Sequence, residues 1–466
     1  MDLRNQVGSM VEKIVADVQG LVAHVEEPGS RLDPRELERR CRDLGLAVGH
    51  ELFVRLLQAY GDGKQGTTVR CACGGIRRWV GTRPRTLRDL MNRALTLARA
   101  YYFCTSCGQG WLPLDEALGL TSAQVTPALY EVAVTCGSVA PPEEAAELLT
   151  LVAGIDLSAK SIERYTKAVG SATDRALDQR AQAAEADTTP EPPGQPALPE
   201  RPYNIQLDGG MLRMRDGAFR EVKVACLFDG RDLAELHAGR HELLRKHYEA
   251  HLGGPERLGQ LTYAAARAYG VAADGANALS QGDGAAWVWN LVQTHWPAAV
   301  EVLDFYHLSE HLHACAQALW GVGSERARAW ARAVGQQTLA GDARVVDVAL
   351  RRLRPTTAAG QQALVQLRRY VQTHAHRMRY GELRQQGYAV ASAAVESAHH
   401  GVVQRRLKRP GQRWSERGAR QILAARRLWC NRHSPADVVS LANVRHLVGR
   451  GYRRRIETGD LRRIAA

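Results

Sequence analysis

Three acidic residues, far apart in the chain, have the setting expected of metal-binding carboxylates. Asp208 follows an alternating, strand-like run, Asp274 ends a short apolar run, and Glu396 lies in a helix-like stretch. Two acids at strand ends and one on a helix can meet at the edge of a sheet, where their oxygens suit hard cations such as Mg²⁺ or Mn²⁺. Two such ions support phosphodiester chemistry. A single Asp before Gly is more often a turn residue, so the prediction depends on the combination.

Four cysteines form two closely spaced pairs, Cys71-x-Cys73 and Cys104-x-x-Cys107. Two thiolate pairs in one short segment can supply a tetrahedral sulfur shell for Zn²⁺. Four sulfur ligands leave no open coordination position, so this zinc is expected to stabilise a fold rather than to catalyse a reaction. Between the pairs, residues 86–100 are predicted to form a helix.

Basic residues are concentrated where they could contact a phosphate backbone. Residues 405–466 hold 17 of the 62 Lys and Arg but only 4 of the 49 Asp and Glu, a net charge of +13. A helix beginning after Asp156 or Ser158 would carry further donors, as a recognition helix does. The alternative is a solvated basic tail without a nucleic-acid partner. The candidate DNA-contacting residues are Lys160, Ser161, Arg164, Arg405, Arg406, Lys408, Arg409 and Arg413.

Composition excludes several classes of protein. Apolar residues make up 45% and charged residues 24% of the 466 residues, which is typical of folded domains. No apolar run reaches the roughly 18 residues that span a bilayer, and the first residues lack the layout of a secretory signal. Nine cysteines are too few for a disulfide scaffold in a chain of this length. We therefore expect a soluble, intracellular protein of more than one domain.

Hydrophobic periodicity indicates which elements position these residues. Apolar residues at helical spacing predict two helices within residues 1–60 and short helices at 121–180. A Pro-rich segment at 181–202 is predicted to be a linker. Beyond it the predicted elements are strands at 203–208 and 221–228, a helix at 235–268, a strand at 269–274, a Trp-containing helix, a strand at 299–304 and helices through 306–380.

This order predicts a mixed fold. An α-helical N-terminal region with a zinc-binding Cys cluster precedes an α/β core that carries an all-α insertion and ends in a basic helical tail. The predicted regions are 1–120 (N-terminal helical and zinc-binding), 121–180 (helical, helix-turn-helix-like, DNA-binding), 181–202 (linker), 203–305 (first part of the core), 306–385 (helical insertion), 386–430 (final core helix with Glu396) and 431–466 (basic tail).

Several blocks taken together resemble insertion-sequence transposases of the ISKra type. The resemblance extends from the Cys pairs to residue 430. It rests on Asp208-Gly209-Gly210 with Glu221-Val222-Lys223, on Asp274-Gly275-Ala276, on Leu303-Asp304-Phe305-Tyr306-His307 and on Val395-Glu396-Ser397 followed by the basic stretch 404–414.

The resemblance implies a DDE transposase with a ribonuclease H-like core, related to Mutator-like elements. In such an enzyme Asp208, Asp274 and Glu396 hold two Mg²⁺ or Mn²⁺ ions. Asp304 and His307 then form the Asp-x-x-His signature that follows the second catalytic Asp. The resemblance also implies DNA as the partner, a homodimer or higher oligomer on transposon ends, and a location at the nucleoid in the bacterial cytoplasm.

Two alternatives concern the acids themselves. Asp304 also ends a strand-like run and competes with Asp274 as the second catalytic Asp. Residues 391–394 read Ala-Ser-Ala-Ala where the family has a Gly-Ser-Gly arrangement, and Gly permits backbone conformations that Ala does not. A DNA-binding protein that no longer cuts is therefore the main alternative to an active transposase.

A third alternative is a zinc metallopeptidase. His307-x-x-Glu310-His311 matches the inverted zinc-peptidase pattern, in which two His bind zinc and Glu acts as base. Either Glu382 or Glu396 would supply the third ligand. This interpretation gives the Cys pairs and the basic tail no role.

Overall fold

The computed structural model describes residues 3–26, 33–187, 198–237 and 240–431. The chain forms two compact units, Met1–Tyr165 and Thr166–Ala466. The predicted linker at 181–202 is helical as far as Ala186, and its residues 188–197 lie outside the described part. Within the described ranges, no helix has both the length and the apolar character needed to cross a membrane.

The first unit opens with the two predicted helices, α1 (Leu3–Glu26) and α2 (Pro34–Tyr60). Asp33 caps α2 by accepting the N–H of Arg35 at 3.0 Å, and Pro34 presets the helical φ at the first position. Helices close the unit: α3 (Pro113–Ala117), α4 (Pro127–Val139), α5 (Pro142–Leu148), a π-helical turn (Leu149–Ala153) and the start of α6 (Ala159–Ala186). The short helices predicted at 121–180 are thus confirmed for α4 and α5, whereas α6 is a long helix of 28 residues.

Between α2 and α3 lies a four-stranded antiparallel sheet, and the helix predicted at 86–100 is wrong. Its strands, in spatial order, are β1 (Thr68–Arg70), β2 (Ile76–Arg88), β3 (Ala94–Cys104) and β4 (Gly110–Trp111). The Asp89 carboxylate accepts the N–H groups of Met91 and Arg93 and so closes the β2–β3 turn. Leu95 and Leu97 alternate with exposed residues and pack, with Leu87, against α2. This alternation and the turn outweigh the helix propensity of the segment.

The second unit is built on a five-stranded sheet. Its strands are β5 (Tyr203–Arg213), β6 (Phe219–Asp229), β9 (His247–Leu252), β10 (Ala278–Gly282) and β11 (Val300–Leu303). Their spatial order is β11-β10-β5-β6-β9. Strands β5, β6 and β9 are antiparallel neighbours, whereas β10 and β11 run parallel to β5. The strands predicted at 203–208, 221–228 and 299–304 are thus confirmed.

The helix predicted at 235–268 is only partly correct. The segment first forms a two-stranded ribbon, β7 (Leu233–His237) with β8 (Arg240–Leu243), and then β9. Tyr248, Ala250 and Leu252 recur at a period of two and are buried in one cluster, which fixes β9 as a strand. The helix itself, α7 (Pro255–Tyr269), is shorter than predicted.

Helices account for most of the remaining described residues, including most of the predicted stretch 306–380. They are α8 (Ala286–His295), α9 (Phe305–Trp320), α10 (Glu325–Ala340), α11 (Ala343–Arg351), α12 (Ala358–His374), a 3-10 turn (Ala375–Arg377), α13 (Tyr380–Gln385), α14 (Ala393–Ala398), a π-helical turn (His399–Gln404), α15 (Arg405–Leu407) and α16 (Glu416–Cys430).

Both faces of the five-stranded sheet are covered. Along β6, Ala225 and Leu227 belong to a core with α7 to α13, whereas Val224 and Cys226 belong to a second core with α14 and α16. Successive residues of a strand point to opposite faces, so this division defines a three-layer α/β arrangement. It also keeps α14, which carries Glu396, packed against the sheet.

A buried ion pair joins α16 to β9. Arg427 donates to the Glu249 carboxylate at 2.8 Å, and both side chains are at most 3% exposed. Burial would raise the pKa of Glu249, but Arg427 and His247 outweigh it and hold that pKa below its usual value. Arg427, placed in the basic tail by the sequence, is therefore a structural residue.

Replacing Arg427 with Met should lower the free energy of unfolding by about 3–5 kcal/mol, because it leaves an uncompensated buried carboxylate. Urea unfolding measures this loss. Arg417→Ala, a change at an exposed position on the same helix, should alter stability by less than about 0.5 kcal/mol. Adding Glu249→Gln to Arg427→Met should recover part of the loss; no recovery would argue against the ion pair as the cause.

Candidate active site and metal centre

Three acidic residues lie at neighbouring positions across the parallel part of the second unit's sheet. Leu207 on β5 is paired with Gly282 on β10, and Gly282 is paired with Leu303 on β11. The next residue of each strand is acidic: Asp208, Asp283 and Asp304. Asp283 and Asp304 directly follow β10 and β11, and the register places Asp208, within the longer β5, beside them. The carboxyl ends of parallel strands are the usual position of ligand sites in α/β folds.

Asp208 and Asp283 form a potential metal site with His307. The three side chains each offer a ligand atom, and these atoms all lie within 4.8 Å of one another. Burial raises the pKa of Asp208 to about 6, and the negative charges of Asp283 and Glu396 add to this effect. Glu396 contributes to this pKa from the first turn of α14, where it is exposed, but it does not belong to the group of three potential ligands. A divalent cation would relieve this repulsion between carboxylates.

Asp304 supports this group rather than joining it. Its carboxylate is fully buried and accepts the backbone N–H of Tyr306 at 2.6 Å, which caps α9. The other carboxylate oxygen accepts the N–H of Ser392 at 3.0 Å. The same oxygen lies 3.8 Å from Nδ1 of His307, and Asp304 raises the pKa of His307 to about 9. Asp304 thus fixes the start of α14 and places a buried negative charge beside His307, whose Nδ1 has no hydrogen-bond partner among the described residues.

A buried amide network holds the segment before Glu396. The Gln206 Oε1 atom accepts the N–H of Val395 at 3.0 Å, and Gln281 Nε2 donates to the carbonyl of Ala389 at 2.6 Å. The two amides also bond to each other, and both side chains are 1% exposed. Gln206 lies on β5, Gln281 lies on β10, and Asp304 directly follows β11. Together they position α14 over the sheet, with the exposed Glu396 in its first turn.

The Ala-rich stretch at 391–394 does not require glycine in this fold. Within the described residues, Asn92 alone among non-glycine residues has a positive φ, so 391–394 adopt conformations open to Ala. Glycine is instead needed next to Asp208. A Cβ atom at Gly209 would collide with the Glu221 carboxylate, and one at Gly210 with the His399 ring. The close approach of these side chains explains the Asp-Gly-Gly sequence.

Asp274 does not join the cluster, and the strand predicted at 269–274 is wrong. Helix α7 runs to Tyr269 and is capped by Gly270 with φ of 109°. Asp274 lies in the following turn, where it is exposed and accepts the N–H of Ala276 at 2.9 Å. This turn leads into the first residue of β10, whereas Asp208 and Asp283 lie at the other end of the sheet.

The cysteine pairs form a second potential metal site, in the first unit. The Sγ atoms of Cys71 and Cys107 lie 3.7 Å apart, as do those of Cys73 and Cys104, and all four lie within 4.8 Å of one another. Sulfurs at the corners of a zinc tetrahedron, with bonds of about 2.3 Å, are about 3.8 Å apart. The N–H of Cys107 lowers the pKa of Cys104 to about 6. This cluster could hold a metal ion such as zinc.

The peptidase alternative finds no support in this geometry. His307 is grouped with Asp208 and Asp283, and the described residues contain no metal-site group that joins it to His311. The ring of His311 instead stacks on Tyr370, with 4.0 Å between the ring centroids.

The model of the Uncharacterised protein family (UPF0236) matches residues 74–434, most of the chain. The chain belongs to this family. The match begins between the two Cys pairs and covers the five-stranded sheet with Asp208, Asp283, Asp304 and Glu396. A search of curated proteins finds no match.

The predicted DNA-contacting residues of this UPF0236 member differ in accessibility. On α6, Lys160 and Arg164 are exposed, while Ser161 is half-buried and its N–H is 3.2 Å from the Ser158 hydroxyl, a local capping contact. In the tail, Arg405, Lys408 and Arg413 are exposed and Arg409 is half-buried.

The prediction that Arg406 contacts DNA is wrong. Its side chain is 2% exposed and its guanidinium lies 5.5 Å from the ring centroid of Trp414. Trp414 in turn donates to the carbonyl of Leu407 at 2.9 Å. Arg406 therefore packs inside the unit and is not available to a phosphate backbone. The rest of the predicted basic tail, residues 432–466, lies outside the described residues.

Asp283 is the main residue that the sequence interpretation missed. It directly follows β10, whose five residues Ala278–Gly282 are all buried. The available signal was a short run of small residues ending in Gly-Asp-Gly, followed by a helix. The competing Gly-Val-Ala-Ala-Asp sequence a few residues earlier contains a β-branched Val, which β10 lacks, and therefore predicts a strand more strongly than the sequence of β10 does.

Proposed function

We propose that this protein is a metal-dependent DNA transposase with a ribonuclease H-like core. The proposal rests chiefly on one observation: Asp208, within β5, lies beside His307 and Asp283, which directly follows the adjacent parallel strand β10, and Glu396 contributes to the pKa of Asp208. The sheet order supports it, since three antiparallel strands followed by two parallel ones in the order β11-β10-β5-β6-β9 are the arrangement of a ribonuclease H-like fold. Asp208, Asp283 and Glu396 are then the catalytic carboxylates, with Asp283 in place of Asp274.

The residues at this edge fit a hard divalent cation. Asp208 and Asp283 offer carboxylate oxygens, which Mg²⁺ and Mn²⁺ prefer, and Glu396 adds a third carboxylate from α14. When bound, such ions supply activation of the attacking oxygen and neutralisation of charge at the phosphate. His307, next to Asp304, borders the site and can orient the scissile strand.

The proposed reaction has two steps. Water attacks a phosphorus at the end of the element, and the P–O bond to the 3′-oxygen breaks. The freed 3′-hydroxyl then attacks a phosphorus of target DNA, forming one phosphodiester and breaking another. The chain's own task is to hold both strands against Asp208 and Asp283 while the amide network keeps α14 in place. A homodimer or larger oligomer at the nucleoid would pair two ends.

Strand cleavage tests the proposal. The purified protein is incubated with duplex DNA that carries the sequences flanking its own reading frame, in Mg²⁺, in Mn²⁺ or in chelator. Strand breaks should appear with either ion and disappear with chelator. Binding without breaks under all conditions would favour the alternative, a DNA-binding protein that does not cut. In a parallel assay with a peptide substrate, hydrolysis that chelator abolishes and added zinc restores would favour the metallopeptidase.

A further inference from the structure

The sheet around the Cys cluster carries a strong local positive charge, which the net charge of the whole chain does not reveal. Residues 64–111 contain nine Lys and Arg but a single acid, Asp89. The Asp89 carboxylate already has other partners, because it closes the β2–β3 turn and contacts Nδ1 of His50 at 2.6 Å. The segment therefore has a net charge of +8 and no free acid to offset it.

Most of these basic residues have no acidic partner. Arg85 and Arg99 share Asp115 of α3, and Arg88 donates to the carbonyl of Asp156. The other six form no ion pair with any acid that the structure describes, and all but the half-buried Arg77 are exposed: Lys64, Arg70, Arg77, Arg78, Arg83 and Arg93. Like charges gathered on one small sheet repel each other, so this arrangement favours an anionic ligand.

Aromatic rings lie among the charges on one face of the ribbon. Arg78 is paired with Phe103, and the next pairs on the same face of the strands are Gly81 with Tyr101 and Arg83 with Arg99. Alternate residues of β3 share a face, so Arg78 and Arg83 flank Tyr101. The guanidinium of Arg83 lies 3.4 Å from the ring centroid of Tyr101. The ring thus holds the guanidinium plane while its charge stays exposed.

We infer that the part of this face from Arg78 to Arg83 is a DNA-binding surface, with Arg78 and Arg83 as its phosphate contacts. Beyond Arg78 and Tyr102, the last residues paired with β1 and β4, β2 and β3 continue as a two-stranded ribbon that carries Arg83. A two-stranded β-ribbon fits the major groove of B-form DNA, whereas the deep, narrow major groove of A-form RNA does not admit it. The inference takes its ligand class from the proposed function and assigns that ligand to residues outside α6 and the basic tail. It does not require that the carboxylate site cut DNA.

The experiment is a salt titration of DNA binding by the full-length, zinc-loaded protein without Mg²⁺. Fluorescence anisotropy with a labelled duplex of mixed sequence compares the wild type with the double variant Arg78→Ala/Arg83→Ala. Each phosphate contact contributes about 0.9 to the slope of log K against log salt, so the double variant should lower the slope by about 1.8. At 0.1 M salt this corresponds to a loss of affinity on the order of 50-fold.

The matched control removes the same charge elsewhere. Arg332 and Arg369 are exposed on α10 and α12, and Arg332→Ala/Arg369→Ala should leave both slope and affinity at wild-type values. Zinc content and circular dichroism establish that each variant is folded. Equal slopes for the two double variants would overturn the inference, as would tighter binding of duplex RNA than of DNA.

The outcomes also separate this inference from the proposed function. Cleavage by the wild type with an unchanged slope in Arg78→Ala/Arg83→Ala refutes the ribbon surface alone. A reduced slope in that variant, with no metal-dependent cleavage by the wild type, refutes the nuclease chemistry alone. Absence of any DNA binding by the folded wild type refutes both.

Discussion

Replacing Asp283 with Asn should lower the rate of metal-dependent DNA cleavage by at least about 1000-fold, since loss of a metal ligand removes several kcal/mol of transition-state stabilisation. The Asn side chain keeps the size of Asp but loses the charge that would share a cation with Asp208. Asp208→Asn should have an effect of the same size, because the two carboxylates occupy equivalent positions on adjacent strands. The measurement is the single-turnover rate of strand cleavage in Mg²⁺ and in Mn²⁺.

Asp274→Asn is the matched control, because it makes the same chemical change at an exposed turn before β10. It should cleave DNA at the wild-type rate. DNA binding without divalent ions should be equal in all three variants, which separates a catalytic defect from a folding defect. If Asp274→Asn abolishes cleavage and Asp283→Asn does not, the carboxylate set proposed above is wrong.

The contrast between these two residues illustrates what the sequence can predict in this core. Asp208 is predictable because residues 203–208 alternate and lead into Asp-Gly-Gly, so the strand is visible, although β5 continues past Asp208 to Arg213. Strand β10 has no such pattern. It is buried on both faces and made of Ala, Leu, Ser, Gln and Gly, so neither alternation nor β-branched residues mark it. Its position depends on pairing with β5 and β11, which lie far away in sequence.

The supporting residues are harder still to predict. Gln206 and Gln281 are ordinary polar residues in the sequence, and they acquire their role because adjacent strands place their amides against residues 389–395. The same limit applies to the β2–β3 hairpin, whose Leu, Ala and Arg residues have high helix propensity. Arg406 shows the converse: its charge predicted a surface contact, but Trp414 packs over it.

The second large effect concerns the Cys cluster. Replacing Cys104 with Ser should abolish tight zinc binding and unfold the sheet that contains β1 to β4. Structural zinc sites of this type contribute roughly 10–16 kcal/mol of apparent binding energy, which exceeds what a sheet of this size gains from its few buried leucines. Zinc content per chain and protease resistance of the first unit are the two measurements.

The cluster sits at the end of the sheet away from the Leu87, Leu95 and Leu97 core, so that core cannot compensate for loss of the metal. Cys41→Ser on α2 is the control, because this exposed thiol lies outside the cluster and should leave zinc content and protease resistance unchanged. The 3.7 Å between paired sulfurs is far longer than the roughly 2.05 Å of a disulfide, so reducing agent alone should have no effect. Full protease resistance of zinc-free Cys104→Ser would mean that side-chain packing, and not a metal ion, holds these strands together.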